Sequence, residues 1–472
     1  MKRRYKMTPN YYCFTRNGNY YAIDTIRIIP VQLSQTVYST LQTLQVNKND
    51  IEIDALTDLE GFEDIQALAK QDILFHNNNF SVENSFRELN ISLIPTLGCN
   101  MNCKYCYSGR KKENRTMPSN IIYDAIDYFC NNFSFSFCRV DFVSGGEPLY
   151  DTELLINMVD ILSNTLDKHG KNALFWLCTN GLLLNKQILQ YLDSKHFNLG
   201  VSIDGPEDIH DANRVDLGGN GTYKKVVNKV LEIKDDEALS RNIKNLWNCA
   251  VITSSTRSLV DIMNNSYQLG FQNLQMKIAW SNNNLIRLSD EKTIQLYDEL
   301  TNYLFLLIEQ KRLEEFLSIC NENDTYGKIL LRVIIQSGVT RRCNAGVNKF
   351  SISPEGKLYP CDSFLGIEEY CIGNIYDGLN ETYNDFSRKR NDNIKKCKRC
   401  WAKYLCGGDC FYHAYLNNDS PWVPDDRVCN VMKEIAKMCI SLVVDSYRSF
   451  PQVMQKVYAI LSKKAIRMEP KS

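Results

Sequence analysis

The amino-acid sequence lacks an excess of charge of either sign, because its 472 residues contain 55 lysines and arginines against 55 aspartates and glutamates. Proteins that bind nucleic acid over a broad surface carry a basic excess, so this balance argues against nucleic acid as a partner. The sequence also lacks a run of about 18 apolar residues that could span a bilayer. Its opening, MKRRYKMTPNYY, has no apolar core of the secretory type. We therefore expect a cytoplasmic protein that has neither a nucleic-acid nor a membrane partner.

Cysteine is the residue that the sequence has in unusual number, with 18 in the chain. Cytosolic disulfides are generally kept reduced, so metal ligation is the first hypothesis. Buried free thiols are common in apolar elements, and we interpret five cysteines in apolar strands or helices as core: Cys130, Cys138, Cys178, Cys249 and Cys439. Ten others fall into two groups whose close spacing has no packing explanation.

The length of the chain predicts two or three domains. Residues 1–82 begin with two aromatic runs around the turn-prone Asn17-Gly18-Asn19, and helical patterns follow. This order predicts a small winged-helix-like domain.

A β/α alternation begins at Leu89 and predicts a second domain over residues 88–285. Its six candidate strands are LNISLIPT, RVDFV, ALFWLC, NLGVSI, LWNCAVI and LQMKIA. Strands that alternate with helices form parallel sheets, with the chemistry at the carboxyl ends of the strands. The pattern predicts an α/β fold, a partial (β/α)6 TIM-like barrel.

Three further segments complete the expected organisation. Residues 286–340 read as a helical linker, residues 341–446 as a cysteine-rich domain, and residues 447–472 as a terminal helix and tail. Because the cysteine-rich segment has little apolar material, we expect bound metal to supply much of its folding free energy.

The first cysteine group follows the first barrel strand in the sequence PTLGCNMNCKYCYSG. It places Cys99, Cys103 and Cys106 in the spacing C-x3-C-x2-C. Three thiolates leave one metal position open, whereas a structural zinc site is normally closed by a fourth protein ligand. A zinc knuckle that a distant residue completes remains the alternative interpretation.

This spacing, with Tyr105 before the third cysteine, resembles the signature of the radical S-adenosylmethionine (SAM) enzymes. The resemblance implies a [4Fe-4S] cluster whose open iron binds SAM. It also implies an enzyme that cleaves SAM to methionine and a 5'-deoxyadenosyl radical, which removes a hydrogen atom from the substrate.

Polar motifs at the next strand ends also resemble this family: SGGEP, CTNG and SIDGPEDIHDANR. The resemblance implies that Gly145, Gly146 and Glu147 bind near the methionyl amino group. It further implies that Arg214 neutralises the methionyl carboxylate. Asn180, Ser202 and Asp204 would offer polar groups to the ribose of SAM or to the surroundings of its sulfonium. Taken singly, each of these residues also fits a helix cap or a turn.

The cysteines of the second group are Cys343, Cys361, Cys397, Cys400, Cys406, Cys410 and Cys429, and four residues separate Gly356 from Cys361. This spacing resembles the SPASM domain, an extension that holds two auxiliary [4Fe-4S] clusters, so the resemblance implies three clusters in all. The resemblance assigns one cluster to four of them, Cys397, Cys400, Cys406 and Cys429. A zinc ribbon at Cys397-x2-Cys400 is the alternative.

The other auxiliary cluster would take Cys343, Cys361 and Cys410 and is one ligand short. Some relatives supply a cysteine six residues before the first, where this chain has Ser337. Cys320 is the nearest alternative. Without it, an open iron would be available to a substrate cysteine, as sulfur-to-carbon bond formation requires.

Asp362 directly follows Cys361, at a position where related sulfatase-maturing enzymes place a base. A carboxylate there would accept the proton that is lost when a substrate radical is oxidised. A turn-capping aspartate is the alternative.

These features together predict a maturase of a ribosomally made precursor peptide. Its N-terminal domain would bind the leader sequence as an added strand, although a structural extension also fits. The predicted product is a cysteine-sulfur to carbon thioether, and an external one-electron reductant of the flavodoxin or ferredoxin type is implied. The alternatives are carbon-carbon crosslinking, formylglycine formation on a sulfatase, and a non-enzymatic iron-sulfur or zinc peptide-binding protein.

Overall fold

The computed structural model describes residues 6–47, 51–52, 57, 59–76, 87–106, 116–237, 239, 246–279, 281, 283 and 285–468. The chain divides into two compact units. The first comprises Met1–Asn84, Asp290–Cys343 and Arg390–Met468, and the second comprises Ser85–Ser289, Asn344–Lys389 and Glu469–Ser472. The boundary expected between residues 82 and 88 and the end of the predicted tail lie largely outside the described residues. The five-domain division remains a prediction.

The N-terminal part of the first unit contains a three-stranded sheet, a two-stranded sheet and two helices. Its strands are β1 (Lys6–Met7), β2 (Tyr11–Arg16), β3 (Asn19–Asp24), β4 (Pro30–Leu33) and β5 (Ile51–Glu52). Its helices are α1 (Gln35–Asn47) and α2 (Phe62–Lys70). Strands β2, β3 and β4 form an antiparallel sheet in that order, and β1 pairs with β5. The predicted succession of aromatic strands and helices is therefore present.

This sheet has a continuous apolar core between its strands and helices. Tyr11, Ala22, Leu41 and Phe75 are among its buried side chains. At one end the buried carboxylate of Asp24 accepts hydrogen bonds from backbone N–H groups of neighbouring turns. A buried carboxylate is tolerated when such donors satisfy it.

The second unit contains the predicted β/α alternation. Its parallel strands are β6 (Glu88–Ser92), β7 (Phe137–Phe142), β8 (Asn172–Thr179), β9 (Asn198–Val201), β10 (Trp247–Ile252) and β11 (Asn273–Ile278). The intervening helices are α3 (Ser119–Asn132), α4 (Thr152–Lys168), α5 (Lys186–Ser194), α6 (Glu207–Asn213), α7 (Tyr223–Asp235) and α8 (Leu259–Gln268). The α/β class and the partial barrel are confirmed, because the six strands stand in sequential order in an open sheet.

Three helices of the first unit follow the barrel strands in sequence. They are α9 (Asp290–Glu309), α10 (Leu313–Ile319) and α11 (Gly327–Ile335). The chain then returns to the second unit with strands β12 (Lys349–Ile352), β13 (Lys357–Tyr359), β14 (Gly373–Asn374) and β15 (Gly378–Leu379) and helix α12 (Glu381–Arg388).

Strand β12 pairs in parallel with β6, so the barrel sheet continues into the cysteine-rich segment. The whole sheet has the order β11-β10-β9-β8-β7-β6-β12-β13-β14-β15. Residues 344–389 consequently belong to the barrel unit by their contacts, whereas the sequence pattern placed them with the later cysteines.

The last part of the first unit is helical. Its helices are α13 (Lys395–Lys398), α14 (Lys403–Cys406), α15 (Phe411–Asn418), α16 (Asp426–Ser449) and α17 (Pro451–Met468). Helix α16 contacts the N-terminal sheet, where Tyr21 donates a hydrogen bond to Asp445 over 2.9 Å. In the described part of the chain, no helix is long and apolar enough to cross a membrane.

Candidate SAM and iron-sulfur sites

The first cysteine group lies in a loop that leaves the carboxyl end of β6. The loop is held by backbone hydrogen bonds from Asn102 N to Val215 O over 2.8 Å and from Lys104 N to Asn213 O over 3.0 Å. Burial raises the pKa of Cys103 to about 11, although Arg214 opposes the rise. Because iron binds the thiolate, cluster binding must release these protons.

The Gly145-Gly146 pair packs against the segment that leads to Cys99. Gly146 N donates to Thr96 O over 3.0 Å. A Cβ at Gly146 would lie 2.1 Å from Gly98 O, and a Cβ at Gly145, whose φ is +93°, would lie 2.3 Å from Ile94 Cγ2. Only glycine allows this close approach.

The Glu147 carboxylate joins the ends of β7 and β8. It is buried and accepts hydrogen bonds from Leu149 N over 3.1 Å, Thr179 Oγ1 over 2.6 Å and Asn180 N over 2.7 Å. A carboxylate has about four acceptor positions, so these donors occupy most of them. The predicted contact of Glu147 with a methionyl ammonium remains a prediction.

Asp204, Arg214 and Tyr105 form a buried polar cluster beside Cys103. Arg214 Nε lies 3.1 Å from Asp204 Oδ1, and Tyr105 donates its hydroxyl hydrogen to Asp204 Oδ2 over 2.9 Å. The Arg214 guanidinium also lies 5.4 Å from the centre of the Tyr105 ring. The structure thus brings these three predicted residues together, with the Arg214 charge already facing a carboxylate.

Asn180 and Ser202 extend the same polar surface across β8 and β9. Asn180 Nδ2 donates to Asn100 Oδ1 over 2.7 Å and lies 3.9 Å from Cys99 Sγ. Ser202 Oγ lies 3.5 Å from Cys178 Sγ. Cys178 also hydrogen-bonds Cys249. Cys130, Cys178 and Cys249 are only partly buried residues, so the interpretation of these three as core needs correction, whereas Cys138 and Cys439 are buried.

Asp362 lies in the same unit and makes two contacts that the sequence did not reveal. Ser144, the residue before Gly145, donates a hydrogen bond to Asp362 Oδ2. Lys349 Nζ lies 3.7 Å from Asp362 Oδ1. Ser144 is part of the SGGEP motif, so the sequence could have indicated it as a site residue. No motif near Lys349 indicated that residue.

The second cysteine group provides one well-formed cavity. Cys397, Cys400, Cys406 and Cys429 line it, and its volume is about 50 Å³. A cavity that holds one water-sized occupant needs roughly 10–15 Å³ on the same measure. The four thiols therefore surround space for a group larger than a single ion, as the predicted auxiliary cluster requires.

The remaining cysteines of this group are divided between the two units. Cys343 and Cys410 are neighbours in the first unit, since Cys343 contributes to the raised pKa of Cys410 after burial. Cys361 belongs to the second unit. In the described ranges, no three histidine, cysteine, aspartate or glutamate side chains lie close enough together to hold one metal ion.

Cys320 lies among helices of the first unit. It is buried, and its thiol donates to Phe316 O over 3.5 Å. Its nearest charged groups are Lys464 and Asp324, and Cys439 is another neighbour. Whether Cys320 completes the auxiliary cluster of Cys343, Cys361 and Cys410 remains a prediction.

Comparisons with known proteins identify the two domain families of the chain. Residues 93–237 match the radical SAM superfamily, and residues 343–401 match the SPASM iron-sulfur cluster-binding domain. A cysteine-type anaerobic sulfatase-maturating enzyme of Clostridium perfringens (strain 13 / Type A) is 27% identical over 75% of this chain and 92% of its own length. A radical SAM cyclopropyl synthase, TigE of Paramaledivibacter caminithermalis, is 25% identical over 76% and 75% of the two chains.

Solved structures show the same fold. The structure described as native anSMEcpe with bound AdoMet and Cp18Cys peptide aligns with a TM-score of 0.60 and 21% identity over 78% of this chain and 99% of that chain. The matches confirm the predicted cofactors, which are SAM, a SAM-binding four-iron cluster and auxiliary clusters. The chain is an enzyme that carries a radical SAM domain followed by a SPASM iron-sulfur domain.

Proposed function

We propose that this enzyme modifies a ribosomally made precursor peptide and installs a thioether between a cysteine sulfur and a carbon atom. The bound SAM would supply the radical that removes a hydrogen atom from that carbon. The relatives support a polypeptide substrate, because the C. perfringens enzyme is named for maturing a sulfatase. Thioether formation is favoured by the ligand set of Cys343, Cys361 and Cys410, since Ser337 stands where a fourth cysteine would complete it.

The observation that carries the choice of a precursor peptide is the N-terminal sheet. Its residues precede both family matches, the first of which begins at residue 93. A leader peptide can add to such a sheet as a further strand, through backbone hydrogen bonds at an exposed edge.

The two edges of this sheet differ. On β2, the outward carbonyls of Tyr11 and Cys13 accept hydrogen bonds from Gln45 and Gln42 of α1 over 3.1 and 3.4 Å. On β4, the four residues Pro30–Leu33 each lie opposite a residue of β3. Asp24 N donates a hydrogen bond to Ile29 O, so Ile29 occupies a hydrogen-bonded position opposite β3. Hydrogen-bonded and non-hydrogen-bonded positions alternate along an antiparallel pair, so Val31 and Leu33 bond to β3 and the N–H and C=O of Gln32 point away from it. We assign the leader to the β4 edge.

Asp362 is the base in this proposal. Ser144 and Lys349 hold its carboxylate beside the glycine motif of the SAM site. There it would accept the proton that leaves when the substrate radical loses its electron.

Formylglycine formation is the second candidate, and it is favoured by the sulfatase-maturating relatives. Carbon-carbon crosslinking would need the same hydrogen abstraction and differs only in the atom that bonds to the carbon.

Anaerobic holoenzyme, SAM and a reductant, incubated with a candidate cysteine-containing precursor peptide, would test the proposal by mass spectrometry. A thioether removes two hydrogens and protects the cysteine from alkylation, whereas formylglycine formation loses the sulfur. Loss of two hydrogens with the cysteine still alkylated would identify a carbon-carbon bond and exclude the thioether. A sulfatase peptide serves as the matched alternative substrate.

A further inference from the structure

Residues 390–403, which carry Cys397 and Cys400 of the second cysteine group, are strongly basic in a chain with no net charge. They include six basic residues and one acidic residue, Asp392. With Lys433 of α16 the six basic residues form what we call the basic collar: Arg390, Lys395, Lys396, Lys398, Arg399, Lys403 and Lys433.

Several charges of the basic collar face solvent without a counter-ion. Lys395, Lys398 and Arg399 are exposed, and within the described part of the chain no acidic side chain pairs with them. Two other members are paired, Lys396 with Asp426 over 2.5 Å and Lys403 with Asp392 over 2.8 Å. The exposed charges therefore create a positive local potential that attracts a negatively charged partner.

Part of the basic collar lies at the four-thiol cavity, which would hold an auxiliary cluster and whose lining also includes Asp409. Lys396, Lys403 and Lys433 line the same cavity as Cys397, Cys400, Cys406 and Cys429. Lys398 and Arg399 lie between the first two of these cysteines in sequence. Cys400 is itself only partly buried, so a protein docked on the basic collar would come close to the group that these thiols hold.

We propose that the basic collar is the docking surface for an acidic one-electron carrier protein of the flavodoxin or ferredoxin class, and that electrons enter the enzyme at the Cys397 to Cys429 cluster. The inference rests on the proposed function, which requires a reductant. The step is a single electron transfer. The reduced carrier would lose one electron, the group held by Cys397, Cys400, Cys406 and Cys429 would gain it, and no bond would form or break and no proton would move.

Charge complementarity and location together favour this partner. Electron transfer slows steeply with distance, so a carrier must dock close to a cluster. Opposite charge speeds the encounter and orients it. The basic collar would also attract an acidic stretch of the peptide substrate. Peptide binding, however, does not require the binding surface to lie next to a redox group, whereas electron transfer does.

Charge reversal in the holoenzyme tests the proposal. In K395E/K398E/R399E, we expect 5'-deoxyadenosine formation driven by reduced flavodoxin to fall about 10-fold or more, as for other rim charges that steer association. With dithionite, which needs no docking, the rate should stay at the wild-type value. Binding of oxidised flavodoxin, measured by calorimetry, should weaken in parallel.

A matched control carries the same charge change elsewhere. K186E/K224E/K225E reverses three lysines whose side chains are 72%, 80% and 63% exposed on helices of the second unit. It should keep flavodoxin binding and both rates. Equal losses in the two variants would show a general charge effect and overturn the proposal.

Three further results separate the alternatives. If the collar variant binds flavodoxin normally but needs more peptide in the dithionite assay, the basic collar binds substrate and the proposal is wrong. If the dithionite rate of the collar variant also falls, flavodoxin binding to the wild-type enzyme is measured at increasing NaCl concentrations instead. Binding to the basic collar must weaken as NaCl rises, and salt-independent binding would contradict the proposal. Absence of peptide modification with intact flavodoxin binding would refute the proposed function alone.

Discussion

A single methyl group at Gly146 would collide with the backbone that positions the first cysteine ligand. We expect Gly146→Ala to lower the SAM-cleavage rate and the iron content, and to cost about 1–3 kcal/mol of stability, because a Cβ 2.1 Å from Gly98 O forces that backbone to move. The control is Gly218→Ala, where the Cβ meets only the Asn220 and Asp216 side chains. Wild-type iron content and SAM cleavage in Gly146→Ala would contradict the assignment.

The Asp362 carboxylate should matter to product formation and not to SAM cleavage. We expect Asp362→Asn to reduce peptide modification by about 10²–10⁴-fold, the usual contribution of a general base. Formation of 5'-deoxyadenosine should continue, so the ratio of cleaved SAM to product rises. Asp377→Asn, which changes an exposed aspartate in the turn between β14 and β15, is the control. Parallel loss of both products would instead indicate a structural role.

The buried imidazole of His210 should make the protein sensitive to acid. Burial, with Arg214 adding, lowers the pKa of His210 to about 3, and its ring lies 3.0 Å from Thr222 Oγ1 and accepts from Asp204 N over 3.4 Å. The folded pKa lies below the unfolded value of about 6.5, so the contribution of neutral His210 to the free energy of unfolding is fully present above pH 6.5. As the pH falls from 6.5 toward 3, this contribution is lost by at most about 1.4 kcal/mol per pH unit, because the unfolded chain binds a proton that the folded protein does not.

Comparison with His210→Gln measures this contribution. The free energy of unfolding in denaturant, determined at several pH values between 7.5 and 5, should fall less steeply for the variant than for wild type. Identical slopes would show that His210 does not carry the acid sensitivity.

Residues whose spacing has a chemical reason could be predicted from the sequence, as with Cys99, Cys103 and Cys106. Contacts between distant residues could not. Ser144 and Asp362 are 218 positions apart, and no periodicity links them. Cys130, Cys178 and Cys249 were interpreted as core because their helix and strands are apolar, yet all three residues are only partly buried.

At the scale of elements, the β4 edge offers a test of leader binding. Proline at position 32 would remove one outward N–H and leave the β3–β4 hydrogen bonds, since Gln32 occupies a non-hydrogen-bonded position. We expect Gln32→Pro to weaken binding of the full precursor peptide by about 2–10-fold, the value of one hydrogen bond.

Gln32→Ala is the matched control for this substitution, because it keeps the N–H but loses the side-chain contact with Arg448. It should bind the precursor like wild type, and a leaderless peptide should not distinguish the variants. Equal weakening by both substitutions would indicate that the side chain, and not the strand edge, binds the leader.

The strands and helices of the barrel could be predicted because their apolar runs alternate regularly with helical patterns. The membership of β12 to β15 in the same sheet could not, because short strands such as Gly373–Asn374 have almost no periodic signal. Their pairing is decided by tertiary contact with β6.

At the scale of the whole molecule, iron should stabilise the first unit in particular. Its last helices surround the four-thiol cavity, and Trp401 beside Cys400 stacks on Tyr12 of β2 with ring centres 4.1 Å apart. We expect chelation of iron to lower the melting temperature and to make the N-terminal sheet more accessible to protease, because cluster binding supplies folding free energy there. Unchanged proteolysis of residues 6–76 in the apoprotein would contradict this coupling.

The parallel pairing of β12 with β6 also has a consequence for the order in which the protein is made. When the ribosome has completed β6 to β11, the barrel still has an unpaired edge at β6. It stays unpaired until Lys349–Ile352 emerges from the exit tunnel. An open strand edge is a template for pairing with other chains. Translation that stops before this strand should therefore yield a nascent barrel that aggregates or engages chaperones.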